Sequence, residues 1–180
     1  MCQLCETKPV YEFTNQRKLC KTCFVRWFQK KVLYTIRRFE LIKSGEVVGY
    51  KFEGSFRDVV LEDVLKMFAE KSMVELIKLP TTKKLSKIAI ASTTDLEADK
   101  IVHALINGGK LSSAVDGKMI KPLYLFLDKE VLLYAKLRNL RFKKTEEGTQ
   151  DKISEFIDGL EKKHPEVKQA VVSGLLKINV

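Results

Sequence analysis

Apolar residues recur at three- and four-residue spacing through the first quarter of the chain. Phe24, Phe28, Val32, Ile36 and Phe39 form one stripe, which predicts a helix from about Lys21 to Ile42. Trp27 and Leu33 flank the stripe, while Arg26, Lys30, Arg37 and Arg38 fall mostly outside it. After Leu41-Ile42-Lys43-Ser44-Gly45 the pattern changes. Residues 46–52 read as a strand, and Val59 to Glu70 as a helix with Val60, Leu61, Val64, Leu65 and Phe68 inward. Val74 to Leu79 is a second short strand. Lys87 to Ala91 is a third, almost continuously apolar, as a strand buried on both faces should be. A helix follows with Thr94 as candidate N-cap and Ile101, Leu105 and Ile106 inward, stopped by Asn107-Gly108-Gly109. Residues 122–126 lead into a helix over 128–138, Leu140-Arg141-Phe142 reads as a last short strand, and 151–162 and 165–177 as two closing helices, with Pro165 starting the second. Strands alternating with helices predict an α/β fold, a small parallel sheet with helices on both faces. The change at Ser44 divides the chain into a module over 1–43 and an α/β domain over 44–180.

Composition narrows the class. Of 180 residues, 45% are apolar, enough for a real core, yet no run approaches the length a membrane span needs. Met1 is followed at once by Cys2-Gln3-Leu4-Cys5, so no signal peptide is expected, and the location expected is cytoplasmic with no membrane partner. The formal charge is +10, and its distribution says more than its size. Residues 17–43 hold Arg17, Lys18, Lys21, Arg26, Lys30, Lys31, Arg37, Arg38 and Lys43 against the single acid Glu40. A positive field concentrated on one element suits a polyanion through counterion release. The competing account is a solvated helix face.

All four cysteines lie in the first 23 residues, as Cys2-x2-Cys5 and Cys20-x2-Cys23. Each pair offers two thiolates on a tight knuckle, and two knuckles close a tetrahedron around Zn²⁺. Residues 6–19 between them suit a short hairpin, because residues 10–13 alternate and Thr14-Asn15-Gln16 is turn-like. Two disulfides are the alternative, disfavoured by a reducing compartment. The expected cofactor is a structural Zn²⁺ on Cys2, Cys5, Cys20 and Cys23, with no open position for substrate. The aromatic stripe is expected to pack on the next domain, with Trp27 as a candidate for stacking on a base.

Several segments together resemble the tRNA 2-thiolation family of PP-loop ATP pyrophosphatases, which make 2-thiouridine in tRNA. They are Leu19-Cys20-Lys21-Thr22-Cys23-Phe24 with the helix ending Ile36-Arg37-Arg38, Lys121-Pro122-Leu123 followed by Lys129-Glu130-Val131 and Tyr134-Ala135, and Leu160-Glu161-Lys162-Lys163-His164-Pro165 followed by Lys168 and Lys177-Ile178. The resemblance implies a PP-loop, Rossmann-like sheet behind an N-terminal zinc finger. The departures from the family pattern matter more. Its phosphate loop, S-G-G-K-D-S, is here Glu53-Gly54-Ser55-Phe56-Arg57-Asp58, with one glycine left and phenylalanine in place of the lysine. The resemblance implies that Gly54, Ser55 and Arg57 are the vestige of a nucleotide site, toward which Glu53 brings negative charge. The family's G-H-N-L-D-D-E-A aligns with residues 91–98, retaining Asp95 and Glu97, acids that suit the first turn of a helix. No cysteine follows Cys23, so the α/β domain has no ligand for a persulfide or a cluster. His103 and His164 have no partner that spacing indicates and are expected to be structural.

The resemblance with these departures implies a catalytically degenerate paralogue, with no catalytic residue, no bound ATP and no iron–sulfur cluster. Its expected partners are tRNA or other structured RNA, contacted through Arg26, Lys30, Lys31, Arg37 and Arg38, and an active thiolase subunit or a second copy of itself. Two readings compete. One is a zinc-containing DNA-binding or regulatory protein whose α/β domain senses a ligand or dimerises. The other is a minimal ATP-using tRNA-modifying enzyme.

Overall fold

The polypeptide begins by folding back on itself around its cysteines. A computed structural model describes residues 1–143 and 152–178. Strands β1 (Tyr11–Glu12) and β2 (Lys18–Leu19) pair antiparallel, with Tyr11 opposite Leu19, and the chain turns at Gln16. Helix α1 (Lys21–Arg38) starts directly after Cys20 and buries Phe24, Phe28, Val32, Thr35 and Ile36. It ends four residues before the pattern suggested. Glu40 takes a left-handed conformation and Leu41 N–H returns to the Ile36 carbonyl, which swings Leu41 and Ile42 into the core instead of along the helix.

The α/β part runs β3 (Val47–Tyr50), α2 (Phe56–Ala69), β4 (Glu75–Lys78), β5 (Lys87–Ala89), α3 (Thr94–Asn107), β6 (Val115–Asp116), β7 (Met119–Ile120), α4 (Asp128–Leu137), α5 (Lys152–Lys163) and α6 (Val167–Ile178). The sheet order is β4-β3-β5-β7-β6, parallel except for the β6–β7 pair. From β3 the chain crosses to β4 on one side, and from β5 to β7 on the other. Right-handed crossovers in opposite directions put α2 and α3 on opposite faces. Accordingly α1, α2 and α4 pack on one another, and α3, α5 and α6 form a second group. The α/β expectation therefore holds.

Three local expectations are corrected. Residues 140–142 form no strand; Phe142 packs edge-on to Phe56, and Lys143 N–H is bonded to the Gly54 carbonyl. The sheet is completed instead by β6 and β7, a hairpin that reverses at Gly117 (φ +58°) and whose two-residue strands are too short to show any alternation. Helix α3 is preceded by Thr93, not Thr94, because Thr94 is drawn inside, its hydroxyl donating to the Tyr124 carbonyl.

The aromatic stripe of α1 packs on the α/β domain as expected. Phe28 stacks on Tyr134 at 4.2 Å and lies 4.2 Å from Phe126. One continuous apolar core runs from Cys2 through the sheet to Leu175. Glu130, almost fully buried, ties the layers by accepting from Tyr11 Oη, Lys31 Nζ and the Leu127 N–H. On the other face Lys168 meets Asp95 at 3.2 Å, Asp158 at 2.8 Å and Glu161 at 2.9 Å, joining α6 to α3 and α5. Burial opposes its charge, but three carboxylates hold the ammonium well above the ordinary lysine range. No described helix is long and apolar enough to cross a membrane.

Candidate metal centre and nucleic-acid interface

The hairpin brings both cysteine knuckles to the N-terminus of α1. The four sulfurs of Cys2, Cys5, Cys20 and Cys23 lie within 4.8 Å of one another. Cys5 Sγ stands 3.7, 3.3 and 3.5 Å from Cys2, Cys20 and Cys23. Four thiols this close oppose one another's ionisation. Hydrogen bonds, the largest from Thr7, draw Cys20 down to about 6, while the hydrogen bond with Cys5 holds Cys23 up to about 12. A cation at the centre removes that conflict, since every sulfur then ionises toward it. The spacing matches the edge, about 3.8 Å, of a thiolate tetrahedron around one ion with bonds of about 2.3 Å. A multi-iron cluster would need the knuckles to open.

The cations of α1 do not share one environment. Arg26, Lys30, Arg37 and Arg38 are exposed. Lys31 is turned inward, its Nζ 3.5 Å from Glu130 and above the rings of Trp27 (4.9 Å) and Phe126 (4.4 Å). Burial pushes its pKa below the ordinary lysine value, and Glu130 works against that. Trp27 is held edge-on by Phe13 at 4.7 Å and Phe126 at 6.1 Å. Beside the knuckles, residues on this face of α1 border a cleft of about 570 Å³ that also includes Arg17 and Tyr34. Tyr34 escaped the sequence reading because it flanks the apolar stripe. Its exposure, 53%, is the signal that only the fold supplies.

The crevice at the carboxyl ends of β3 and β5 is the switch point of the sheet, the usual ligand position in such folds. Here it is closed by the protein's own groups. Gly54 (φ +93°) turns the backbone so that the N–H groups of Glu53 and Ser55 converge. Both donate to Asp58 Oδ2, at 3.1 and 3.0 Å, and the Ser55 hydroxyl adds a third bond at 2.8 Å. An internal carboxylate thus sits where these amides would otherwise hold an anion. Glu53 itself is exposed, so the charge that intrudes is that of Asp58. Arg57 is engaged too: its guanidinium clamps both oxygens of Asp128, with Nε to Oδ1 at 2.7 Å. Burial works against the Arg57 charge and Asp128 more than offsets it. Asp128 also accepts from Thr93 at 2.7 Å, and its N–H donates to Asp95. Asp58→Ala is expected to cost about 1–2 kcal/mol, the usual worth of a helix cap, read as a shift in the urea midpoint at unchanged m. An unchanged midpoint would show that the amides find another acceptor.

Glu97 is not the ordinary first-turn carboxylate that its position suggested. It is fully buried, with Lys121 at 2.8 Å, Ser112 at 2.5 Å, Lys100 at 3.0 Å, and a further hydrogen bond from Ser92. Ser112 and Lys121 arrive from beyond the end of α3, a meeting that spacing along the chain does not reveal.

Fold and site together define an α/β protein of the doubly wound kind with a four-cysteine cluster, able to hold a metal ion, on an N-terminal knuckle. No protein-family model and no curated protein sequence matches the chain. Among solved structures it is similar to the U34-tRNA thiolase NcsA from Methanococcus maripaludis with its [4Fe-4S] cluster. The TM-score is 0.78 at 18% identity, over 98% of this chain and 86% of that one. At this identity the likeness establishes the fold. It also corrects the cofactor expectation of zinc with no iron–sulfur cluster. A protein of this fold carries such a cluster, and this chain gathers four cysteines, the residue type that ligates one, although at a spacing that suits a single ion. The exclusion of an iron–sulfur cluster is therefore withdrawn.

Proposed function

We propose that this protein is a non-catalytic relative of tRNA-thiolating enzymes that binds structured RNA, tRNA above all, in the cytoplasm. The observation that carries this reading is the self-occupied switch-point crevice. Asp58 holds the amides and Asp128 holds Arg57, so the groups of this loop that would cradle a triphosphate are already engaged. The exposed cations of α1 support the binding half of the proposal. Arg26, Lys30, Arg37 and Arg38 would contact phosphates, whereas Lys31 serves to dock α1 on α4. Phosphate contacts fix position and carry no sequence, so discrimination would come from RNA shape or from a partner, either an active thiolase subunit or a second copy.

Filter binding of the metal-loaded protein to tRNA at rising salt tests the proposal. Four phosphate contacts give a log–log slope of about −3 to −4, and the Arg26→Ala/Lys30→Ala variant should reduce its magnitude by about 1.5–2. Absence of tRNA binding, or affinity insensitive to salt, would remove the proposal. Preference for duplex DNA in competition would replace it with the DNA-binding alternative, and pyrophosphate release from ATP with tRNA would restore an enzyme.

A further inference from the structure

We infer that the cleft between the cysteine knuckles and α1 is a subsite for one unpaired nucleotide of RNA, its base stacked on Tyr34 and its phosphates held by Arg26 and Lys30. The inference rests on the RNA-binding reading above and goes beyond it by locating a single-stranded contact.

Residues 27, 30, 31 and 34 follow the i, i+3, i+4, i+7 spacing, so one face of α1 presents aromatic, cation, cation, aromatic in sequence. Across from this face stand Leu4, Cys5 and Arg17 of the knuckle hairpin. The space between, about 570 Å³, lies in the range of small-ligand sites, and no acidic residue lines it. Trp27 makes a rigid floor because the surrounding rings fix its edges. Tyr34 is the decisive residue. It is an exposed aromatic that the core does not need, and it is held in place: Arg38 donates to its hydroxyl at 2.9 Å, with the guanidinium carbon 5.8 Å from the ring centre. An oriented ring among cations is the arrangement that single-stranded nucleic acid uses, the base on the ring and the backbone on the cations. A paired base is already stacked within its helix and does not reach such a ring. An acidic peptide would satisfy the cations but has no flat group for Tyr34.

Trp27 is the one tryptophan of the chain, so its emission reports on the cleft directly. Titrating the full-length, metal-loaded protein with hexauridylate is expected to quench that emission, whereas a blunt RNA duplex of equal charge leaves it unchanged. Tyr34→Ala should weaken hexauridylate binding about tenfold, the scale of one base–aromatic stack, and Tyr34→Phe should restore it. The inference is overturned if tRNA binds normally while hexauridylate neither quenches Trp27 nor discriminates Tyr34→Ala from the parent. It is equally overturned if poly-glutamate quenches as strongly as the oligonucleotide, which would assign the cleft to an acidic protein segment. Loss of tRNA binding altogether would instead defeat the RNA-binding reading itself.

Discussion

Cys20→Ser is expected to strip the N-terminal module of its metal and to destabilise the whole chain by more than about 4 kcal/mol, the scale associated with losing a structural metal site. The effect is global because the module has no core of its own. Cys20 directly precedes α1, and Phe24 and Phe28 one and two turns later are fully buried in the shared core. Without the metal, Cys2 would be left as a buried thiol beside the new buried hydroxyl at position 20, in an unsupported hairpin of two-residue strands. Circular dichroism melting and elemental analysis on the same samples provide the measurement. The same elemental analysis, with visible absorption and acid-labile sulfide, distinguishes an iron–sulfur cluster from a colourless single ion in the parent protein. Full metal content and an unchanged melting temperature in Cys20→Ser would refute the assignment of that cysteine to the centre.

The second large effect is expected at Glu97. Glu97→Gln should cost about 3–5 kcal/mol, because Lys121, only 4% exposed in its side chain, would be left buried without a counter-charge. Adding Lys121→Met should recover part of the loss, so that the two changes are not additive. The pH dependence follows from the same cluster. Burial pushes the Glu97 carboxyl upward, but hydrogen bonds from Lys121, Ser112, Ser92 and Lys100 together hold it below its ordinary value. A depressed carboxyl contributes stability that is present above its unfolded pKa and is lost as pH falls through the folded one. Unfolding in urea at a series of pH values should therefore show stability declining below about pH 4, with this part of the decline absent in Glu97→Gln. Equal acid sensitivity of both proteins would show that other carboxylates dominate.

The Glu97 cluster and the Lys168 clamp hold α3 against its neighbours, and the Asp58 and Arg57 contacts close the crevice beside it. The protein's own groups thus fill the switch-point crevice of the sheet. Exposed cations and an aromatic ring stand on α1, beside the cysteine knuckles.

Much of this was readable along the chain. The paired cysteines, the amphipathic helix and the apolar third strand are local signals, and the spacing that produces each of them lies within one element. That residues 53–58 carry no lysine-bearing glycine turn was legible in the same way. Tertiary structure decided the rest, since partners far apart in sequence carry no local period. Lys31 belongs to the same basic run as Lys30, yet only packing against Glu130, 99 residues away, turns it inward. Asp58 drew no reading of its own along the chain, and only the Gly54 turn aims two amides at it. Glu97 became a buried hub, and Tyr34 the open wall of a cleft, for the same reason. Periodicity states which face a residue occupies; burial and counter-charge depend on what arrives opposite that face, and the fold alone brings it there.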